Sequence, residues 1–213
     1  MKFRSLAFVL ALATSPLQSA NAFFIEVFDF GRGASGFVDM DSAIAAMVTP
    51  VATGSATTVD FAKGSNLGNF AGDQPFPGAL PDFFGVHVSG DIVIPGGTAY
   101  FGVNHDDGTR LLIDGIQVIN FDPPTAPRNT LGSVALSPGR HAVDLYLYEN
   151  TGVASLEFFT SDANGAVGAL VAAAPNGIPE PGSLALLMLG GLGIGLIGRR
   201  SVRRRSRVRR GAC

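Results

Sequence analysis

The chain has a single pair of adjacent carboxylates, Asp106-Asp107, in the stretch TAYFGVNHDDGTRLLIDGIQVIN from Thr98 to Asn120. Two carboxylates and nearby carbonyls at a tight tip suit a hard cation, which takes several oxygen ligands at about 2.3–2.6 Å. The obstacle is geometric, because consecutive side chains of an extended strand point to opposite faces. The bland alternative stays open: Asp106 starts an Asx-turn, Asp107-Gly108 completes it, and both carboxylates are solvated. Neighbouring residues make a poor acid and base pair across a sugar, since a glycosidase needs two carboxyls that face one another. Only three histidines occur, His87, His105 and His141, without metal-ligand spacing, and no serine stands in a G-x-S-x-G elbow. The expectation is a protein that is not an enzyme, with a glycoside hydrolase as a distant third reading.

The elements that must position this pair read as strands. Tyr100–Asn104 and Arg110–Asp114 flank the turn residues His105–Thr109 as a β-hairpin, and Asp114-Gly115 turns the chain again into Ile116–Ile119. Three consecutive antiparallel strands are therefore expected. Upstream, Phe23–Phe30 reads as a first strand, and Asp39–Ser42 caps a short helix over Ala43–Val48 that stops at Thr49-Pro50. Ala56–Ala62 alternates as a strand before a long exposed loop, Lys63–Pro81; Phe83–Val88 and Gly90–Ile94 follow. His141–Glu149 and Val153–Thr160 complete the pattern as a last hairpin. Many short strands with one helix indicate an all-β fold, an antiparallel β-sandwich. Its inward phase is Phe101, Val103, Leu111, Ile113, Val143, Leu145, Leu147, Leu156 and Phe158.

Several of these segments resemble the protective-antigen-fourteen (PA14) domain. They are the string N-x-D-D-G-x-R-L-x-I-D-G from Asn104 to Gly115, Phe84-Gly85-Val86 with Ser89-Gly90, Leu136–His141, and Tyr146–Glu149 with Gly152. The family is a β-sandwich of bacterial toxins, glycosidases and yeast flocculin-type adhesins. In the adhesin members the resemblance implies that Asp106 and Asp107 bind calcium and sugar, with a cis peptide turning both inward and an Asn from a later loop, here Asn150, beside them. The implied partner is an extracellular polysaccharide. With no Trp in the chain, stacking on a sugar ring falls to Tyr100, Tyr146, Tyr148 or a phenylalanine, although tyrosines within alternating strands are as readily core residues.

Both termini carry processing signals. Met1–Ala22 runs from Lys2 and Arg4 through an apolar Leu6–Ala13 to Ala20-Asn21-Ala22, the order of a signal peptide cut by signal peptidase. The expected organisation is a signal peptide over 1–22, a sandwich ectodomain over 23–163, an Ala-rich linker over 164–178 and a sorting signal over 179–213. That signal reads Pro179-Glu180-Pro181, an uncharged segment over 184–198, and eight arginines between Arg199 and Arg210. Fifteen residues at about 1.5 Å each span roughly 22 Å, short of the roughly 30 Å hydrocarbon core, which suits a temporary transmembrane anchor. The three parts closely resemble the PEP-CTERM sorting signal. The resemblance implies recognition by exosortase, a precursor in the inner membrane and a mature form at the cell surface or outside the cell. Gly193-Ile-Gly195-Leu-Ile-Gly198 fits G-x-G-x-x-G but lacks the βαβ setting of a dinucleotide site.

Charge is distributed unevenly. Residues 23–175 hold five basic and sixteen acidic side chains, a net of −11, against +8 in the terminal arginines; the whole-chain value of −2 conceals this. An acidic ectodomain has no footprint for nucleic acid, and the arginines follow the positive-inside rule. The lone cysteine, Cys213, leaves no disulfide framework, so stability must come from burial, with any bound metal only adding to it. The function read from the sequence is a calcium-dependent carbohydrate-binding surface module, with a non-binding envelope or biofilm-matrix protein as the alternative.

Overall fold

A computed structural model describes residues 22–31, 36–64 and 67–175, which form one compact unit. Ala20, the Pro179-Glu180-Pro181 motif and the segment 184–198 lie outside the described residues. Among the described residues no helix is long and apolar enough to cross a membrane.

Eleven strands and one helix follow in order: β1 Phe23–Asp29, α1 Met40–Ala46, β2 Ala52–Ala56, β3 Asp60–Lys63, β4 Phe84–Ile94, β5 Gly97–Asp106, β6 Gly108–Ile113, β7 Ile116–Phe121, β8 Arg128–Leu136, β9 Gly139–Glu149, β10 Ala154–Ser161 and β11 Val167–Leu170. They form two antiparallel sheets. The first has the order β2-β1-β4-β9-β6-β7; the second has β11-β10-β5-β8, with β3 also paired to β10. The architecture is the expected β-sandwich with one short helix.

The period-2 pattern places the core correctly. All nine residues of the expected inward phase are buried in one cluster, joined by Phe23, Ile25 and Val27 of β1 and by Val86, Val88 and Ile92 of β4. On the opposite face of β9, Tyr148 packs under Met40 and Ala43 of α1. Asp39, the first residue of the expected capping segment, caps that helix, accepting from the Ser42 amide at 2.7 Å, and the helix therefore starts at Met40, three residues before the expected Ala43, and ends at Ala46.

Strand partnership departs from the expectation at two places. β5 and β6 do not pair: β5 bonds to β10 and β8, whereas β6 bonds to β9 and β7. Asp106-Asp107 is therefore a corner where the chain passes from the second sheet to the first, and not a hairpin tip. The supposed last hairpin is also a crossover, since β9 lies in the first sheet and β10 in the second. Turn-forming composition is the same for a hairpin and a corner; which strand each arm joins is decided by distant partners. The Asp114-Gly115 turn does close a hairpin, β6 with β7, its two residues at φ 51° and 75° as a two-residue primed turn requires.

Smaller differences have local causes. The single strand over Ala56–Ala62 is two, β2 and β3, in different sheets. The two strands from Phe83 to Ile94 are one continuous β4. β8 carries no sequence signal that marks it in advance. Residues assigned to the linker instead include β11, and Val171, Ala173 and Ala174 are buried, so the domain extends past residue 163 to about Pro175.

Candidate functional site

Two crossovers at the same end of the sandwich build the site. The corner between β5 and β6 delivers Asp106 and Asp107, and the one after β9 delivers Glu149. Pairing of β6 with β9 sets Gly108 opposite Tyr148, and pairing of β5 with β10 sets Asp106 opposite Ser155. These registers bring residues some forty positions apart into one cluster. Gly108 is needed at the corner for a close approach, because a Cβ there would lie 2.2 Å from the Tyr148 ring.

The Asp106–Asp107 peptide is cis. Both side chains turn inward, with Asp106 4% and Asp107 5% exposed, which excludes the solvated-turn reading. One carboxylate oxygen from each of Asp106, Asp107 and Glu149 lies within 4.8 Å of the others. Asp107 is oriented by backbone amides, Oδ1 accepting from Thr125 N and Oδ2 from Asn150 N, both at 2.9 Å. Glu149 is different: it is 0% exposed and neither of its carboxylate oxygens has a hydrogen-bond partner. The nearest cation is Lys63, whose Nζ lies 3.9 Å from Glu149 Oε1 while also pairing with Asp82 at 3.0 Å.

The electrostatics follow from burial and like charge. Burial, then the charges of Asp107 and Asp106, push the Glu149 carboxyl up to about 9, with the Lys63 ammonium opposing. Burial and then Asp107 push Asp106 up to about 7. Behind the corner, His105 is held neutral, its pKa lowered by burial to about 4. Its Nδ1 donates to the Asp107 carbonyl, so Nε2 accepts from the Thr130 hydroxyl at 2.8 Å. It braces the corner and offers no free nitrogen to a ligand.

The donor set is all oxygen and strongly acidic, the set a hard cation such as calcium takes. Two buried oxygens of Glu149 without partners are what such an ion would satisfy, so the residues present fit the metal. Asn150 stands beside the site, yet its side chain is engaged elsewhere: Oδ1 accepts from Phe37 N at 2.7 Å and Nδ2 donates to Phe37 O at 3.0 Å. Its backbone amide, not its carboxamide, touches the acidic cluster. Glu149 is the member of the acidic cluster that reading the motif missed, and its signal was present: it continues the inward phase of Val143, Leu145 and Leu147, where an unpaired acid has no reason to be.

The aromatic candidates separate. Tyr148 is fully buried and its hydroxyl donates to the Asp122 carbonyl, so it is unavailable to a ligand. Tyr146 is half-buried and stacked on His87 at 4.4 Å, and that His bridges Glu26 and Asp144 at 3.2 and 2.8 Å. Tyr100 is half-buried on the second sheet. His141 is engaged by Asp114 and the Ser137 carbonyl, a structural role. A cleft of about 370 Å³ opens beside Lys63, lined by Pro75, Phe76, Leu80 and Pro81 among others.

No protein-family model matches the chain, and no curated protein matches it by sequence. Solved structures do match by shape. The PA14 domain of the antifreeze protein MpAFP superposes with a TM-score of 0.60 at 19% identity, over 75% of this chain and 94% of that one. A PA14 sugar-binding domain from an RTX adhesin gives 0.56 at 19% identity, over 71% and 97%. An epithelial adhesin A domain from Candida glabrata, solved with β-lactose, gives 0.50 at 10% identity, over 76% and 92%. With two sheets crossed at an acidic corner and these neighbours in shape, the described part of the chain has the fold of a PA14 domain.

Proposed function

We propose that the domain is a carbohydrate-binding module of an exported protein, with calcium held at the corner by Asp106, Asp107 and Glu149. The observation that carries this reading is Glu149, a carboxylate in full burial with two unpartnered oxygens, facing two other buried acids. Leaving an ionised carboxylate unpaired in such a place costs several kcal/mol, and an oxygen-coordinated cation removes that cost. When bound, calcium would supply open coordination positions for hydroxyl oxygens. The chain's own residues orient and enclose: amides of Thr125 and Asn150 fix Asp107, His105 braces the corner from behind, and the cleft beside Lys63 offers apolar walls to a sugar ring. The RTX adhesin domain is a sugar-binding domain and the Candida glabrata adhesin domain was solved with β-lactose, which supports the substrate class, an extracellular polysaccharide.

Export completes the proposal. A signal peptide ending at Ala20-Asn21-Ala22 and a C-terminal signal at Pro179-Glu180-Pro181 would route the chain through signal peptidase and exosortase to the cell surface.

One observation favours a second reading, that of a structural matrix protein. The Lys63 ammonium stands where it partly neutralises the corner without a metal. Titrating calcium into purified wild type and Asp107→Asn during thermal melting, followed by pull-down on immobilised polysaccharides with and without chelator, separates the two. The binding module predicts a melting point that millimolar calcium raises further in the wild type than in Asp107→Asn, and polysaccharide retention that chelation abolishes. Identical melting curves for both proteins at several millimolar calcium, with no retention, establish the matrix reading.

A further inference from the structure

A second group of acids lies away from the corner, where β3 meets β10. Asp60 and Glu157 are directly opposed across the two strands, and like charges so placed destabilise a sheet unless something offsets them. Both are buried, Asp60 at 5% exposure and Glu157 at 0%. A third acid is brought to them by the long loop. Segment 72–74 is pinned beside β3 by Gln74 N to Asp60 O at 2.8 Å and Ala62 N to Gln74 O at 2.9 Å, which places Asp73 so that one oxygen from each of the three carboxylates lies within 4.8 Å of the others.

The three differ in how their charge is met. Glu157 is clasped by the loop, accepting from Asn69 N, Phe70 N and Asn69 Nδ2 at 2.7–3.0 Å. Asp60 Oδ1, by contrast, is buried and has no hydrogen-bond partner. The loop backbone is pressed onto this group: a Cβ on Gly72 would lie 2.8 Å from Asp60 Oδ2, and one on Gly68 would lie 2.2 Å from Glu157 Oε1. A buried carboxylate oxygen without a donor, opposed by a second acid and joined by a third, is a group that a bound cation would satisfy.

We propose that Asp60, Asp73 and Glu157 form a second divalent-cation site, selective for calcium, that fastens the loop from Asn69 to Gln74 onto the edge of the second sheet. All donors are carboxylate oxygens drawn from a strand pair and a loop, a flexible oxygen-only set that accommodates calcium more readily than the strict octahedron of magnesium. Its role is structural. It stands independently of the carbohydrate-binding proposal, because none of its ligands belongs to the corner.

The test is calcium stoichiometry by equilibrium dialysis, with calcium chloride and no sugar, on the wild-type protein, Asp60→Asn, Asp73→Asn and Asp107→Asn. Chymotrypsin cleavage after Phe70 is followed in parallel. Asp73 is only half-buried, so Asp73→Asn keeps the test valid should Asp60→Asn fail to fold. The expected result is that Asp60→Asn and Asp73→Asn each bind one ion fewer than wild type and lose calcium protection at Phe70, while Asp107→Asn keeps that protection. Wild-type stoichiometry in Asp73→Asn, or cleavage after Phe70 that calcium does not slow in the wild type, overturns the proposal. Loss of binding in Asp107→Asn alone would support the corner and refute this site; loss in Asp60→Asn and Asp73→Asn alone would do the reverse.

Discussion

The Lys63 ammonium, 3.9 Å from Glu149 Oε1 and tethered by Asp82, would compete with the proposed ion for that oxygen. Replacing it should relieve that competition: Lys63→Met is expected to tighten calcium binding at the corner by about three- to tenfold, on the order of 1 kcal/mol, read from the calcium dependence of melting. Unchanged or weaker binding would mean that the ammonium helps to shape the site. The Glu149 carboxyl also sets a pH dependence. Its folded pKa, up near 9, lies above that of the unfolded chain, so the folded state holds a proton that the unfolded state has released. That contribution is complete in acid and fades as pH rises toward 9. Asp106 works in the same sense but is spent by about pH 7, and His105 opposes only between about pH 4 and 6.5. Between pH 7 and 9 Glu149 stands alone among these three. Metal-free protein should lose about 2 kcal/mol over that window, and Glu149→Gln should flatten the loss. Calcium should flatten it too, since the ion needs the ionised carboxylate and its affinity rises with pH.

At the level of elements, the central strand β9 is bonded to β4 along its whole length and to β6 from Val143 to Tyr148. Leu145→Ala removes a fully buried side chain from its middle and should cost about 2–5 kcal/mol in denaturant unfolding; less than about 1 kcal/mol would contradict the strand phase. β11 makes a sharper claim. Ending the chain at residue 163 would strip β11 from β10 and remove the buried Val171 and Ala173 from the core, so that truncation should melt well below a chain ending at Pro175. These elements also mark what could be read in advance. Inward positions such as Leu111, Leu145 and Phe158 were legible because alternation follows from the strand itself. Strand partners were not, since Asp106-Asp107-Gly108 looks locally like a hairpin turn whether or not its arms pair. β11 was hidden because Val167–Leu170 and its surroundings are small Ala and Gly residues. Asp60 and Glu157 could not be matched from sequence, because their meeting depends on the register of β3 against β10. Asn150 was placed near the site, but only the folded chain reveals that Phe37 holds its carboxamide.

For the whole molecule, the proposed processing removes both ends. Mass spectrometry of the surface or secreted fraction is expected to find no peptide from Leu184 onward, and replacing Glu180 should leave the precursor in the inner membrane; an intact arginine tail outside the cell would refute the sorting proposal. What is exported must then fold by itself, and the two crossovers dictate how. Strands adjacent in sequence at the acidic corner belong to different sheets, so their neighbours are β9 and β10, reached only after a further stretch of chain has been placed. Such a topology has a high contact order, which puts folding in the millisecond-to-second range. The three corner acids, spread from Asp106 to Glu149, have no shared geometry in a nascent or half-built chain. Capture of the proposed ion would therefore be a late event in maturation, possible only after both crossovers have brought the three acids together.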